Sequence, residues 1–238
     1  MVSTSRRGFM MGTAAIAAAA AMGLPYEKVS AAQVLNAAAP DLATYTPSFF
    51  TAAEFATLCA MCDRLIPADD VGPGALEANV PIFIDMQIGG DLGAEWYMQG
   101  PFPTDPSPLM GFQMPHRPQE YFRIGLDLTE RAVQERYNTG FADLTDDQKD
   151  EFLTAMDKGE VDFTPYGEDY VTGKFFFSQV LAETRNGYLS DPMYGGNKGM
   201  GAWIMLGYPG ARASFREWVG QHNVKYPLGP VSVTGMRA

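Results

Sequence analysis

The chain is poor in metal ligands: its 238 residues include two Cys and two His. Four such residues cannot build a Cys/His zinc cluster unless all of them converge, and two Cys cannot hold an iron–sulfur cluster by Cys ligation alone. Cations are scarce as well, with 17 Lys and Arg against 28 Asp and Glu, a formal charge of −11. That balance argues against nucleic acid as a partner, because neutralising phosphates takes clustered Lys and Arg. No Gly-x-Gly-x-x-Gly follows a strand and no Gly-x-Ser-x-Gly occurs, which removes the Rossmann dinucleotide site and the nucleophile elbow. Gly195-Gly196-Asn197-Lys198-Gly199 is glycine-rich but lacks the Lys-Ser/Thr ending of a phosphate loop. No apolar run reaches the ~20 residues that span a bilayer. At 46% hydrophobic and 19% charged, the composition is that of an ordinary globular protein, long enough for one domain with extensions.

The N-terminus carries the parts of an export signal. Ser5-Arg6-Arg7-Gly8-Phe9 is followed by an alanine-rich apolar stretch, 16 residues from Phe9 to Leu24. A small-residue cleavage site follows at Val29-Ser30-Ala31, with Ala37-Ala38-Ala39 as the alternative. The paired Arg6 and Arg7 with Phe9 resemble the twin-arginine signal, which carries folded proteins across the membrane. An ordinary secretory signal with two arginines is the plainer alternative. Cleavage after Ala31 would leave 14 basic against 27 acidic residues, a charge of −13. Folded export is chiefly needed by proteins that take up a cofactor or a partner beforehand, so a cofactor site is the next thing to seek.

The remaining chain is expected to be all-α, an irregular helical domain with long Gly/Pro-rich loops. Residues 32–50 read as an extended N-terminal arm, 51–221 as the helical domain and 222–238 as a C-terminal tail. Thr51-Ala52-Ala53-Glu54 fits a capping box, and the helix it opens should stop before Pro67. Pro81 can open a second helix, closed by Gly89-Gly90, with Asp85 on its polar side. Six prolines between Gly100 and Pro118 predict irregular chain. A long helix is predicted over 119–138, with Gly140 as its terminator. Thr145-Asp146-Asp147-Gln148 gives a second capping box. Further helices are predicted over 170–186, ending at Asn186-Gly187, and over 211–221 through Phe215, Trp218 and Val219. No convincing alternating strand pattern and no internal repeat is present.

The candidate chemistry is thin. Cys59-Ala60-Met61-Cys62 lacks the His that haem attachment requires after the second Cys, since Asp63 stands there. Cys59 and Cys62 are neighbours on one helix face, so a disulfide is open to them in an oxidising compartment. The preferred alternative is two small apolar residues facing the core. His116 and His222 have no partner at metal-ligand spacing. Asp146-Asp147 sits at the positive end of a helix dipole, a structural role. Asp69-Asp70 lies in a loop without calcium-ligand spacing. No cofactor or metal site emerges, and catalysis falls to no residue. The alternative is a stand-alone periplasmic enzyme using loop carboxylates and His116. The loop-borne aromatics Trp96, Tyr97, Phe102, Phe112, Tyr194, Trp203 and Tyr208 suit either an interface or the pinning of loops onto helices.

Several segments carry a family resemblance. Cys62-Asp63-Arg64-Leu65-Ile66-Pro67-Ala68-Asp69-Asp70, Gly72-Pro73-Gly74-Ala75, Asp191-Pro192-Met193-Tyr194-Gly195-Gly196-Asn197 and Trp203-x-x-x-Gly207-Tyr208-Pro209-Gly210 resemble the small subunit of gluconate 2-dehydrogenase, subunit 3 or gamma. The similarity runs from about Thr51 to Gly210, and Asp-Pro-x-Tyr-Gly-Gly-Asn is its most specific part. The resemblance implies a non-catalytic component of a membrane-associated periplasmic sugar, polyol or sugar-acid dehydrogenase. In such complexes the large subunit carries FAD and the catalytic residues, and a multihaem cytochrome c subunit often passes electrons on. The small subunit supplies the export signal to the twin-arginine translocase and helps the flavoprotein mature. Asp191, Pro192, Tyr194, Gly195, Gly196 and Asn197, with Trp203, Tyr208, Pro209 and Gly210, are then expected to form contact surface for the flavoprotein. The rival expectation is that this loop only buttresses the helices.

Overall fold

A computed structural model describes residues 39–94, 100–111, 113–224 and 226–238. Arg6, Arg7, Phe9, the Val29-Ser30-Ala31 site and Ala37-Ala38 of the alternative site lie outside the described residues, as do Trp96, Tyr97 and Phe112. The fold is all-α. Its helices are α1 (Ala52–Leu65), α2 (Val80–Gly89), the single turn α3 (Asp91–Ala94), α4 (Pro118–Tyr137), α5 (Asp146–Lys158), α6 (Gly173–Leu189) and the short α7 (Gly201–Leu206). Among the described residues, β-pairing is limited to isolated bridges from Val231 to Gly210 and to Arg237.

Local chemistry accounts for the helix ends. Thr51 accepts from the Glu54 N–H and Glu54 from the Thr51 N–H, a complete capping box; Thr145 and Gln148 repeat it at α5. At α4, Asn138 takes the left-handed position that ends the helix, two residues before the expected Gly140. Asn carries that backbone conformation at low cost, so the glycine was not needed there.

α2 is the core of the molecule. It packs against α1, α3, α4 and α6, and Val80, Pro81, Ile82, Phe83, Ile84 and Ile88 are all buried. A helix apolar on every side belongs in the interior, not on the surface. Around it Leu58, Met61, Phe122, Leu126, Val180 and Phe176 complete the same cluster. Phe122 meets Phe176 edge-on at 5.8 Å between centroids, which joins α4 to α6.

Asp85 is the exception within α2 and corrects the expectation that it faces solvent. It is fully buried, and its carboxylate gathers the arm. Oδ2 accepts from the Tyr45 hydroxyl (2.7 Å), the Ser48 N–H (2.7 Å) and the Ser48 hydroxyl (2.8 Å). Oδ1 accepts from the N–H groups of Phe49 (3.0 Å) and Phe50 (2.9 Å). Burial and the Asp85 carboxylate push the Tyr45 phenol well above its ordinary range. The end of the arm is therefore a clamped segment. Arg123 adds to it by donating to the Phe49 carbonyl and by stacking 4.4 Å above the Phe49 ring.

α6 departs from its expected limits, starting at Gly173 and running through Asn186-Gly187 to Leu189. Gly187 sits where the Phe83 ring crosses the helix; a Cβ there would lie 2.7 Å from that ring. The glycine is spent on helix packing, not on stopping the helix. The helix expected over 211–221 reduces to one tight turn, Arg216–Trp218. Its apolar residues find no helix surface to cover. Phe215 and Trp218 pack instead on Tyr226, at 5.9 and 5.1 Å. The tail does not separate at residue 222, because buried Val231 pairs with Gly210.

Candidate partner interface

The motif-bearing segments converge at the end of α1 and around α7. Arg64, in the last turn of α1, forks onto Asp150 at 2.8 Å twice and reaches Asp146 at 3.0 Å. It thus bolts α1 to α5, and the pairing holds Asp150 below the usual carboxylate range. After Pro67 the loop turns on Asp69, whose carboxylate accepts from the N–H groups of Val71 (2.8 Å) and Gly72 (3.0 Å). The Tyr188 hydroxyl, from the end of α6, donates to the Pro73 carbonyl at 2.6 Å. The Met205 side chain covers Gly72, and Pro73 covers Gly201, so this loop and α7 are packed face to face.

The Asp191–Asn197 loop follows α6 directly. Asp191 is buried and divides its carboxylate: Oδ1 accepts from the Met193 N–H (3.1 Å), and Oδ2 from the Val233 N–H (2.6 Å) of the tail. Asn197, also buried, donates to the Ser190 carbonyl (2.9 Å) and accepts from the Ala202 N–H (3.1 Å) at the start of α7. The Trp203 indole is buried and donates to the Leu189 carbonyl at 2.8 Å, with the Tyr208 ring edge-on at 5.0 Å. Gly196 is packed against the Gly187 carbonyl, and Gly210 against the Val231 backbone.

The expected contact set therefore divides. The side chains of Asp191, Asn197 and Trp203 are inside, and Gly196 and Gly210 lie against backbone, so these positions do the buttressing. Gly195, Pro192 and Pro209 are half-covered. Tyr194 (47% exposed) and Tyr208 (49%) point outward. Sequence reasoning missed the exposed Ile204 (55%) and Leu206 (60%) on α7, and Leu189 and Val233, exposed in segments whose backbone bonds to Trp203 and Asp191. The available signal was charge: between Gly187 and Ala211 the charged residues are Asp191 and Lys198, and Asp191 is buried. An apolar, Tyr-bearing surface depleted of charge on a rigid frame is the composition of a protein interface.

The remaining chemical candidates are placed as follows. Cys59 and Cys62 carry free thiols; Cys62 is buried with its Sγ 3.4 Å from the Thr184 hydroxyl. Burial pushes both thiols up to about 12, which suppresses thiolate chemistry. His116 lies 3.7 Å from Glu168, but the same carboxylate oxygen already accepts from the Tyr170 and Val171 N–H groups. His116 is thus tied to a loop-forming acid. Asp69, the loop carboxylate of the stand-alone enzyme reading, is spent on its own turn. Among the described residues no group of three or more His, Cys, Asp or Glu is placed to hold a metal ion. Also among them, no helix is long and apolar enough to cross a membrane.

Comparison with known proteins agrees with the motif positions. No curated protein and no solved structure matches the chain. The family model described as gluconate 2-dehydrogenase subunit 3 matches residues 52–210, from the first capping box to the last motif glycine and well over half of the chain. The chain belongs to the gluconate 2-dehydrogenase subunit 3 family, and so is an accessory subunit that works with partner subunits.

Proposed function

We propose that this chain is the non-catalytic small subunit of a periplasmic FAD-dependent sugar, polyol or sugar-acid dehydrogenase, held at the membrane through its complex. It delivers the twin-arginine signal for the assembly and supports folding of the flavoprotein large subunit. FAD belongs to that subunit, and haem c to a cytochrome subunit where one is present. The observation that carries this reading is the division of labour in the motif residues. Arg64, Asp69, Asp191, Asn197 and Trp203 are each consumed in holding the frame, and what the frame presents outward is Tyr194, Ile204, Leu206 and Tyr208. These side chains bring contact area and no acid, base or nucleophile poised for chemistry.

The reading is tested by isolating the chain from its native host and recording a spectrum of what comes with it. A co-purifying polypeptide with flavin absorbance is expected, and the chain alone should turn over no sugar or polyol with an artificial electron acceptor. Turnover by the isolated chain would replace this proposal with the stand-alone enzyme.

A further inference from the structure

Charge is divided unevenly along the chain. Residues 32–210 hold 10 basic and 26 acidic residues, whereas residues 211–238 hold 4 basic and 1 acidic, a local charge of +3 on a strongly negative body. Half of the body's ten cations are engaged: Arg64, Arg123, Arg131, Arg136 and Lys149 each pair with a carboxylate. In the C-terminal segment, Arg212, Arg216 and Arg237 form no ion pair among the described residues.

The same segment concentrates exposed apolar side chains. Phe215, Val219 (75% exposed), Val224 (54%) and Leu228 (54%) stand out from a turn-rich stretch with no α-helix among its described residues. They are mounted on a built aromatic cluster: Phe215 and Trp218 close on Tyr226, and the Arg212 guanidinium lies 5.5 Å from that ring while donating to the Gly229 carbonyl. The Gly210–Val231 bridge and the Asp191–Val233 hydrogen bond anchor the segment to the body.

We propose that residues 211–238 dock this subunit onto an anionic membrane surface. Arg side chains without a carboxylate partner attract acidic lipid headgroups, Trp and Tyr suit the bilayer interface, and single apolar tips enter the headgroup layer without needing a matching shape. That last point favours lipid over an acidic protein, because the exposed apolar residues are separate tips spread along the segment. The segment follows the family-matched residues, so this contact is additional to the partner surface around α7.

The test uses the chain from Ala32 onward, which retains all of the described core. It is mixed with vesicles of phosphatidylcholine alone or with 30% phosphatidylglycerol, and binding is measured by flotation in 0.1 M and 0.5 M salt. With about a fivefold gain per net basic residue, the anionic vesicles should bind on the order of 100-fold more tightly than neutral ones, and the gain should vanish in high salt. Arg216→Glu with Arg237→Glu should abolish the preference. Val219→Ser with Leu228→Ser should weaken binding roughly tenfold at an unchanged Tm. Equal binding to both vesicles, no binding, insensitivity to the charge reversal, or capture of poly-glutamate in place of vesicles would each overturn the proposal.

Discussion

Replacing Asp85 with alanine removes the acceptor around which residues 45–50 are wrapped. Two hydroxyls and three N–H groups lose their partner in one step, in a site where the Asp85 side chain is fully buried. A hydrogen bond to a charged acceptor contributes about 1.5–3 kcal/mol, but five bonds to one carboxylate do not add, since burying that charge is itself costly. Removing one side of a buried charged network costs about 3–5 kcal/mol, and we expect Asp85→Ala to lie near 4 kcal/mol. For a chain of this size, a Tm decrease of about 8–16 °C should follow. Asp85→Asn keeps the shape and one acceptor oxygen, so about half that loss is expected. Hydrogen exchange gives the local readout. The Ser48, Phe49 and Phe50 amides should be protected in the wild type and exchange freely in Asp85→Ala, because their acceptor is gone. A Tm within 2 °C of wild type, with these amides still protected, would refute the clamp.

Three further outcomes are expected, two from the structure and one from the N-terminal sequence. Cys59 and Cys62 should resist iodoacetamide in the native protein at pH 8, where thiols raised to about 12 are on the order of one part in 10,000 thiolate, and both should alkylate on denaturation; rapid native labelling or a mass showing a disulfide would count against this. Burial raises the Glu183 carboxyl, so its charged form is a liability in the folded state that is fully present above the raised value and is relieved as pH falls from that value toward the ordinary carboxylate range; Glu183→Gln should therefore raise Tm by a degree or two at pH 7.5 and lose its advantage in acid, as followed by thermal melts across pH. Arg6→Lys with Arg7→Lys should leave the flavoprotein partner in the cytoplasm, as read by fractionation, and normal export would remove the carrier role.

Much of the fold was legible because its signals are local. The Thr51/Glu54 and Thr145/Gln148 boxes and the break before Pro67 depend on residues within one turn of each other. What escaped depends on contacts distant in sequence. Asp85 reads as a polar helix residue until the arm, about 40 positions earlier, is seen to wrap it. Gly187 reads as a stop until Phe83 is found against it. The 211–221 segment has helical spacing, yet its rings pack on Tyr226 and leave Val219 bare. At the candidate site, the motifs located the right region without separating roles. Burial makes that separation: Asp191, Asn197 and Trp203 turn inward to hold the frame, and Tyr194, Ile204, Leu206 and Tyr208 turn outward.

That outward set is where the account is most exposed. The decisive measurement is recovery of the flavoprotein on tagged chain carrying Tyr194→Asp with Ile204→Asp, compared with wild type by flavin absorbance per tagged subunit. Both positions are about half exposed, so the variant's own Tm should stay within a few degrees of wild type. Two charges in a desolvated apolar interface should reduce recovery at least tenfold. Undiminished flavoprotein recovery by a well-folded double variant would contradict the assignment of this surface to the partner.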